Sequence, residues 1–146
     1  MNKTIIINGR IVLPEGVLAD GCVEFADGKI TAVKEGPYNG QATGTIINAQ
    51  GNYVSPGFID IHRHADAALF REGFGDAELF QGLTTIVNGN CGLSIAPSGG
   101  AFQKEIFDYL IPVTGRPEEQ MRTESMGSYL QAVKEQKLAV NIGMLS

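Results

Sequence analysis

The sequence predicts an α/β fold with a small antiparallel β head. Three observations carry this expectation. Between residues 3 and 50, short β-rich runs are joined by turn signals. From residue 56 onward, apolar strand-like runs alternate with helical spacing, the order of parallel βα units. Hydrophobic residues make up 43% of the 146 positions, enough to pack a core.

The head is expected to be three hairpin-like pairs. "TIIINGRIVLP" places two β-rich runs around Asn8-Gly9. In "CVEFADGKITAVKEG", Cys22, Glu24 and Ala26 alternate with Val23 and Phe25 before Asp27-Gly28 turns the chain back. "GTIINAQGNYVSPG" reads as a third pair about Gly51-Asn52. The expected sheet has one packed face and one wet face.

The second part begins with "GFIDIHRH", read as a strand. "DAELFQ", residues 76–81, suits a short helix with Asp76 near its cap and Gly82 just past its end. "LTTIVNGN" is a β-branched strand, and "AFQKEIFDYLI" has helical spacing at Phe102, Ile106 and Leu110. "RPEEQMRTESMGSYLQAVKEQK" reads as a polar helix in two pieces, broken near Gly127, with Pro117 in a first-turn position. "LAVNIGML" is a final strand. The expected division is 1–54 for the head and 55–146 for the α/β part. A closed eight-stranded βα barrel takes about 250 residues, so the second part holds less than half of one.

Composition narrows the function classes. The net charge of −5 argues against a nucleic-acid backbone as partner, which selects basic surfaces. No run is long and apolar enough for a membrane helix. Asn8, Gly9 and Arg10 interrupt the N-terminal apolar run, against a signal peptide. Two cysteines, Cys22 and Cys91, are too few for a disulfide framework, so free thiols in a reducing cytoplasm are expected.

The two histidines of the chain, His62 and His64, sit one residue apart. On a regular strand they share a face, with Asp60 and Asp66 in register beside them. Such a pair either chelates one cation or simply ends a strand with two hydrogen-bonding side chains. Cys91 follows the next strand, between Asn90 and Gly92. It is either a thiolate ligand at the C-terminal end of a parallel strand or a small buried residue. Cys22, mid-strand in the head, fits the buried reading better. Together, His62, His64 and Cys91 would end two successive strands at one rim, and three N/S donors with an open position make a catalytic type of zinc site.

At this point the sequence resembles a known family. "PGFIDIHRHAD" is similar to the first barrel strand of the amidohydrolase superfamily, and the head resembles the urease-like β-sandwich that precedes that barrel. "GLTTIVNGNCGLSIAP" is similar to the second-strand signature of the N-acyl-D-amino-acid deacylase (D-aminoacylase) branch. The resemblance implies the first three βα units of a TIM-type metal-dependent hydrolase barrel. It implies one or two zinc ions held by His62, His64 and Cys91, with Asp60 supporting them. It implies a small-molecule N-acyl-D-amino acid as substrate, hydrolysed at its amide bond. The remaining ligands and the aspartate that shuttles the proton are expected beyond Ser146, so no catalytic residue is assigned here and the 146 residues alone are expected to be inactive. Oligomeric state and substrate-binding residues stay open.

Three alternatives stand beside this. One is a cyclic amide or ureide hydrolase of dihydroorotase or hydantoinase type, against which the N-C-G-x-S motif argues. Another is a non-catalytic metal-binding remnant. The third is an enzyme with Cys91 as nucleophile, for which two imidazoles on one face are less suited than for chelation.

Overall fold

Asp27 and Gly28 both adopt positive φ, 51° and 76°, the geometry of a type I′ turn. They join β2 (Gly16–Ala26) to β3 (Lys29–Glu35) as an antiparallel hairpin. The other expected hairpin, at Asn8-Gly9, is not one. β1 (Lys3–Leu13) runs straight through it, and the chain reverses at Pro14-Glu15 instead. Of the two residues only Asn8 has positive φ, 55°, whereas a type I′ turn needs two. The pair makes a bulge instead, and the β1–β2 register shifts on both sides of Gly9. Gly9 is required there because a Cβ would strike the side chains of Val54 and Ile11.

The third expected pair is corrected as well. β4 (Thr45–Asn48) and β5 (Tyr53–Val54) do not pair with each other. Both lie parallel to β1, at Thr4–Ile7 and at Arg10–Ile11 respectively. The bulge at Asn8 and the turn at Gln50-Gly51 face each other between the two stretches, joined by Gly51 N–H to the Asn8 carbonyl at 2.7 Å. The sheet order is β3-β2-β1-β4, with β5 also on β1. Nor is one face simply wet. Cys22, Val23 and Glu24 are consecutive and all buried, so the middle of β2 is covered on both sides. Glu24 is tolerated there because Lys3 Nζ (2.6 Å) and Lys34 Nζ (2.8 Å) each take one of its oxygens. Those two ammoniums hold its carboxyl below the ordinary glutamate range.

This computed structural model describes residues 3–41 and 44–145; Met1, Asn2, Ala42, Thr43 and Ser146 lie outside the described residues, and with them the ends of the expected 1–54 and 55–146 segments. The chain forms two compact units, Met1–Pro56 and Gly57–Ser146. The second is α/β. Its strands β6 (Phe58–Asp60), β7 (Leu83–Asn88) and β8 (Asn141–Met144) form a parallel sheet in that order. α1 (Asp76–Phe80) joins β6 to β7, while α2 (Gln103–Thr114) and α3 (Met126–Glu135) lie between β7 and β8.

Three helical expectations need adjusting. α2 forms where the spacing predicts, but of its apolar stripe only Leu110 is buried, while Phe102 and Ile106 stand in solvent. The polar stretch does split in two, but not at Gly127. A short 3₁₀ turn, Glu119–Met121, precedes α3, and Gly127 lies inside α3. The boundary is set by Ser125, whose extended backbone and side chain cap α3 by accepting from Ser128 N–H at 3.0 Å. Pro117 precedes the 3₁₀ turn rather than opening a helix.

The core of the second unit gathers Ala65, Leu69, Ile86, Ile95 and Tyr129, all shut from water. Ile86 comes from the central strand, Ala65 and Ile95 from the segments that follow β6 and β7, and Tyr129 from α3. The segments leaving the C-terminal ends of the strands are therefore anchored by packing. Among the described residues, no helix is long and apolar enough to cross a membrane.

Candidate metal centre

β6 is shorter than expected: it ends at Asp60, so neither histidine lies on a strand. Two side chains divert it. The His62 N–H turns back to Asp60 Oδ1 at 3.1 Å and the Ala65 N–H is taken by the Asn88 side chain at 2.8 Å, while the Arg63 N–H still reaches the Val87 carbonyl of β7 at 3.0 Å. His62 and His64 nevertheless converge. Their ring centroids lie 5.5 Å apart, with the planes inclined by 71°.

Cys91 reaches them from the end of β7. Gly89, Cys91 and Gly92 all have positive φ, at 78°, 59° and 67°. For Cys91 that conformation costs about 1–2 kcal/mol, because its Cβ crowds the backbone. The tight corner throws the thiol back toward the histidines, and Cys91 Sγ lies 3.3 Å from His62 Nε2. One donor atom from each of His62, His64 and Cys91 falls within 4.8 Å of the others. Zinc–nitrogen and zinc–sulfur bonds of about 2.0–2.3 Å at tetrahedral angles put two ligands about 3.5 Å apart. The His62–Cys91 pair has that spacing already, and the widest separation needs only a small side-chain rotation.

The donors suit a borderline-soft cation, two imidazoles and a thiol. A further observation favours one. His64 Nδ1 is buried and has no hydrogen-bond partner among the described residues. A buried imidazole nitrogen left so is costly, and a cation, or a group brought with it, would satisfy it. His62 and Cys91 are exposed and His64 is half-buried, so the centre opens to solvent on one side.

Asp60 holds the site from beneath. Its Oδ1 accepts the His62 N–H, and its Oδ2 lies 3.5 Å from Arg63 Nη1. Arg63, between the histidines, reaches the other way to the buried Glu78 of α1 at 2.6 Å. Asp66, expected in register beside the histidines, is not part of the donor cluster. It is fully buried, and its Oδ1 accepts from Ser94 Oγ and Ile95 N–H. Burial pushes its carboxyl up, while those two donors and the neighbouring His64 pull it down. The chain leaves the strand before Asp66, so strand alternation no longer fixes where it points.

Sequence reasoning did not single out Asn88, Ser94 or Glu78. All three sit close to the motifs, and Asn88 and Ser94 flank Cys91 within "NGNCGLS". Their roles depend on partners more than ten residues away, which a motif does not display. Cys22 is buried in the first unit and Cys91 is exposed, and both are free thiols.

Residues 45–145 match the Amidohydrolase family. A D-aminoacylase of Alcaligenes xylosoxydans xylosoxydans is 37% identical over 106 residues, which cover 73% of this chain and 21% of that protein. An N-acyl-D-aspartate deacylase of the same organism is 36% identical over 97 residues, 66% of this chain and 18% of that protein. In three dimensions, the N-acyl-D-glutamate deacylase of Bordetella bronchiseptica, solved with zinc and a phosphonate mimic of the tetrahedral intermediate, is similar with a TM-score of 0.77 at 27% identity. That likeness covers 97% of this chain and 28% of the solved one. The chain thus spans 18–21% of the length of these two curated relatives.

Proposed function

The chain belongs to the amidohydrolase family, and from that premise we propose that it is the N-terminal part of a zinc-dependent hydrolase that cleaves the linear amide bond of N-acyl-D-amino acids. The observation that carries the reading is the convergence of His62, His64 and Cys91 donor atoms within 4.8 Å. The relatives named above add the substrate class, since each is a deacylase or aminoacylase of D-amino acids. In this reading residues 1–54 belong to a composite β-sandwich and 55–146 open a (β/α)8 barrel.

His62, His64 and Cys91 bind the metal, one or two ions in number. When bound, zinc supplies Lewis acidity, polarising the scissile carbonyl and easing deprotonation of a water. Neighbouring residues of this chain hold the donors in place. Asp60 fixes the His62 backbone through the 3.1 Å hydrogen bond to its N–H. The left-handed corner at Cys91 presents the thiol, and a reducing cytoplasm suits a ligand that must remain a free thiolate. The carboxylate that moves the proton from water to the leaving amine, and the further ligands, lie beyond Ser146 in this reading. The 146 residues alone are then inactive.

The test uses the protein at its natural length. Zinc analysis should find bound metal, and hydrolysis of N-acyl-D-methionine should far outpace that of the L form. Equal rates on the two enantiomers, or turnover of cyclic ureides alone, would move the assignment to the dihydroorotase or hydantoinase class.

A further inference from the structure

Besides the Cys91–His62 contact, four hydrogen bonds join the histidine segment to the cysteine segment. Arg63 N–H reaches the Val87 carbonyl at 3.0 Å, and Ala65 N–H reaches Asn88 Oδ1 at 2.8 Å. The other two end on one atom: Ser94 Oγ at 3.1 Å and Ile95 N–H at 3.2 Å both donate to Asp66 Oδ1. Asp66 is two residues after His64, and Ser94 three after Cys91. We propose that Asp66 is a positioning residue of the metal centre, its buried carboxylate fixing how closely the Cys91 thiol approaches the two imidazoles.

The corner that carries Cys91 is only partly restrained by its own sequence. Buried Asn90 ties its start to β7, donating from Nδ2 to the Val87 carbonyl at 2.8 Å, but Cys91 and Gly92 beyond it are exposed, and glycine adopts many conformations. Upstream it is held by β7. Downstream the bonds to Asp66 close the loop. Asp66 is itself held by the core, because its carbonyl accepts from the hydroxyl of fully buried Tyr129 at 2.8 Å. The Tyr129 bond anchors the Asp66 backbone, and it is the carboxylate, through Ser94 and Ile95, that acts on the ligand loop. Stability alone is a poor reason for this carboxylate. Burying one is costly unless all its acceptor capacity is used, and Asp66 Oδ2 has no partner among the described residues. Outer partners that hold ligands in place are worth 10–100-fold in metal affinity, which is a sufficient reason.

This inference rests on the metal-site reading above, and cobalt(II) alone, bound to the protein at its natural length, separates the two. The readouts are the thiolate-to-cobalt charge-transfer absorption and the affinity by competition with a chelator. In the wild type the absorption should be present; its absence would overturn the metal-site reading and this inference with it. Asp66→Ala should lose most of that absorption and bind about 10–100-fold more weakly. Asp66→Asn, which keeps an acceptor, should stay within a few-fold of wild type. Tyr129→Phe should melt at lower temperature yet keep the absorption. An Asp66→Ala protein with unchanged absorption, or a Tyr129→Phe protein that loses as much as Asp66→Ala, would overturn the positioning role. If Asp66→Ala does not fold, Ser94→Ala decides by the same absorption: a weakened band supports the role and an unchanged one refutes it.

Discussion

Cys91 Sγ stands 3.3 Å from His62 Nε2, although 29 residues separate them in the chain. Two segments that leave neighbouring parallel strands bring them together, and each ends its strand in its own way. The histidine segment turns on the Asp60 side chain; the cysteine corner turns on left-handed backbone.

Removing the thiol tests whether that closeness is ligation. Cys91→Ala should bind zinc more than about 100-fold less tightly, exceeding what the loss of an outer partner costs. Metal content after dialysis against a weak chelator reads this directly. Wild-type zinc in the variant would leave Cys91 outside the centre.

The glycines beside Cys91 should differ in their tolerance. Gly89 and Gly92 both have positive φ, so alanine at either costs about 1–2 kcal/mol from the backbone alone. At Gly92 a Cβ enters open space, whereas at Gly89 it runs into the Leu145 carbonyl oxygen. Gly89→Ala should therefore be clearly the more destabilising in a urea titration. Equal midpoints for the two variants would contradict the packing at that corner.

Arg63 and Glu78 make an unequal pair. The Glu78 side chain is 6% exposed and that of Arg63 38%. Arg63→Ala should cost about 2 kcal/mol, because it leaves a buried carboxylate without its cation. Replacing both residues with apolar ones should recover much of that loss, as urea midpoints of the single and double variants would reveal. Additive losses would mean that the pair is not coupled.

Acid should weaken the first unit through Glu24. Hydrogen bonds from Lys3 and Lys34 hold its carboxyl below the ordinary value of 4.5. A group whose folded pKa is depressed contributes stability that is present above its unfolded pKa and lost as the pH falls through the folded one. The loss should begin near pH 4.5 and deepen below it. Glu24→Gln should flatten that part of the stability–pH curve, followed by circular dichroism. An unchanged acid limb would remove Glu24 as its cause.

Much of this molecule is legible in the sequence because it depends on neighbours in the chain. Asp27-Gly28 determined its own hairpin, since two adjacent residues that tolerate positive φ suffice for a type I′ turn. The β-branched run of β7, the spacing of α2 and the identity of the three donor residues are local in the same sense. The tertiary structure decided the rest, where the same local signal admits two outcomes and a distant partner selects one. Asn8-Gly9 has the letters of a turn, but β4 and β5 along the edge of β1 make it a bulge. His62 and His64 have the spacing of a strand, but bonds to Asp60 and Asn88 release them from it. Asp66 has the register of a ligand, but Ser94, Ile95 and Tyr129 draw it into the core. A motif names the donors; only packing between residues far apart in the chain sets the few ångströms that make them one site.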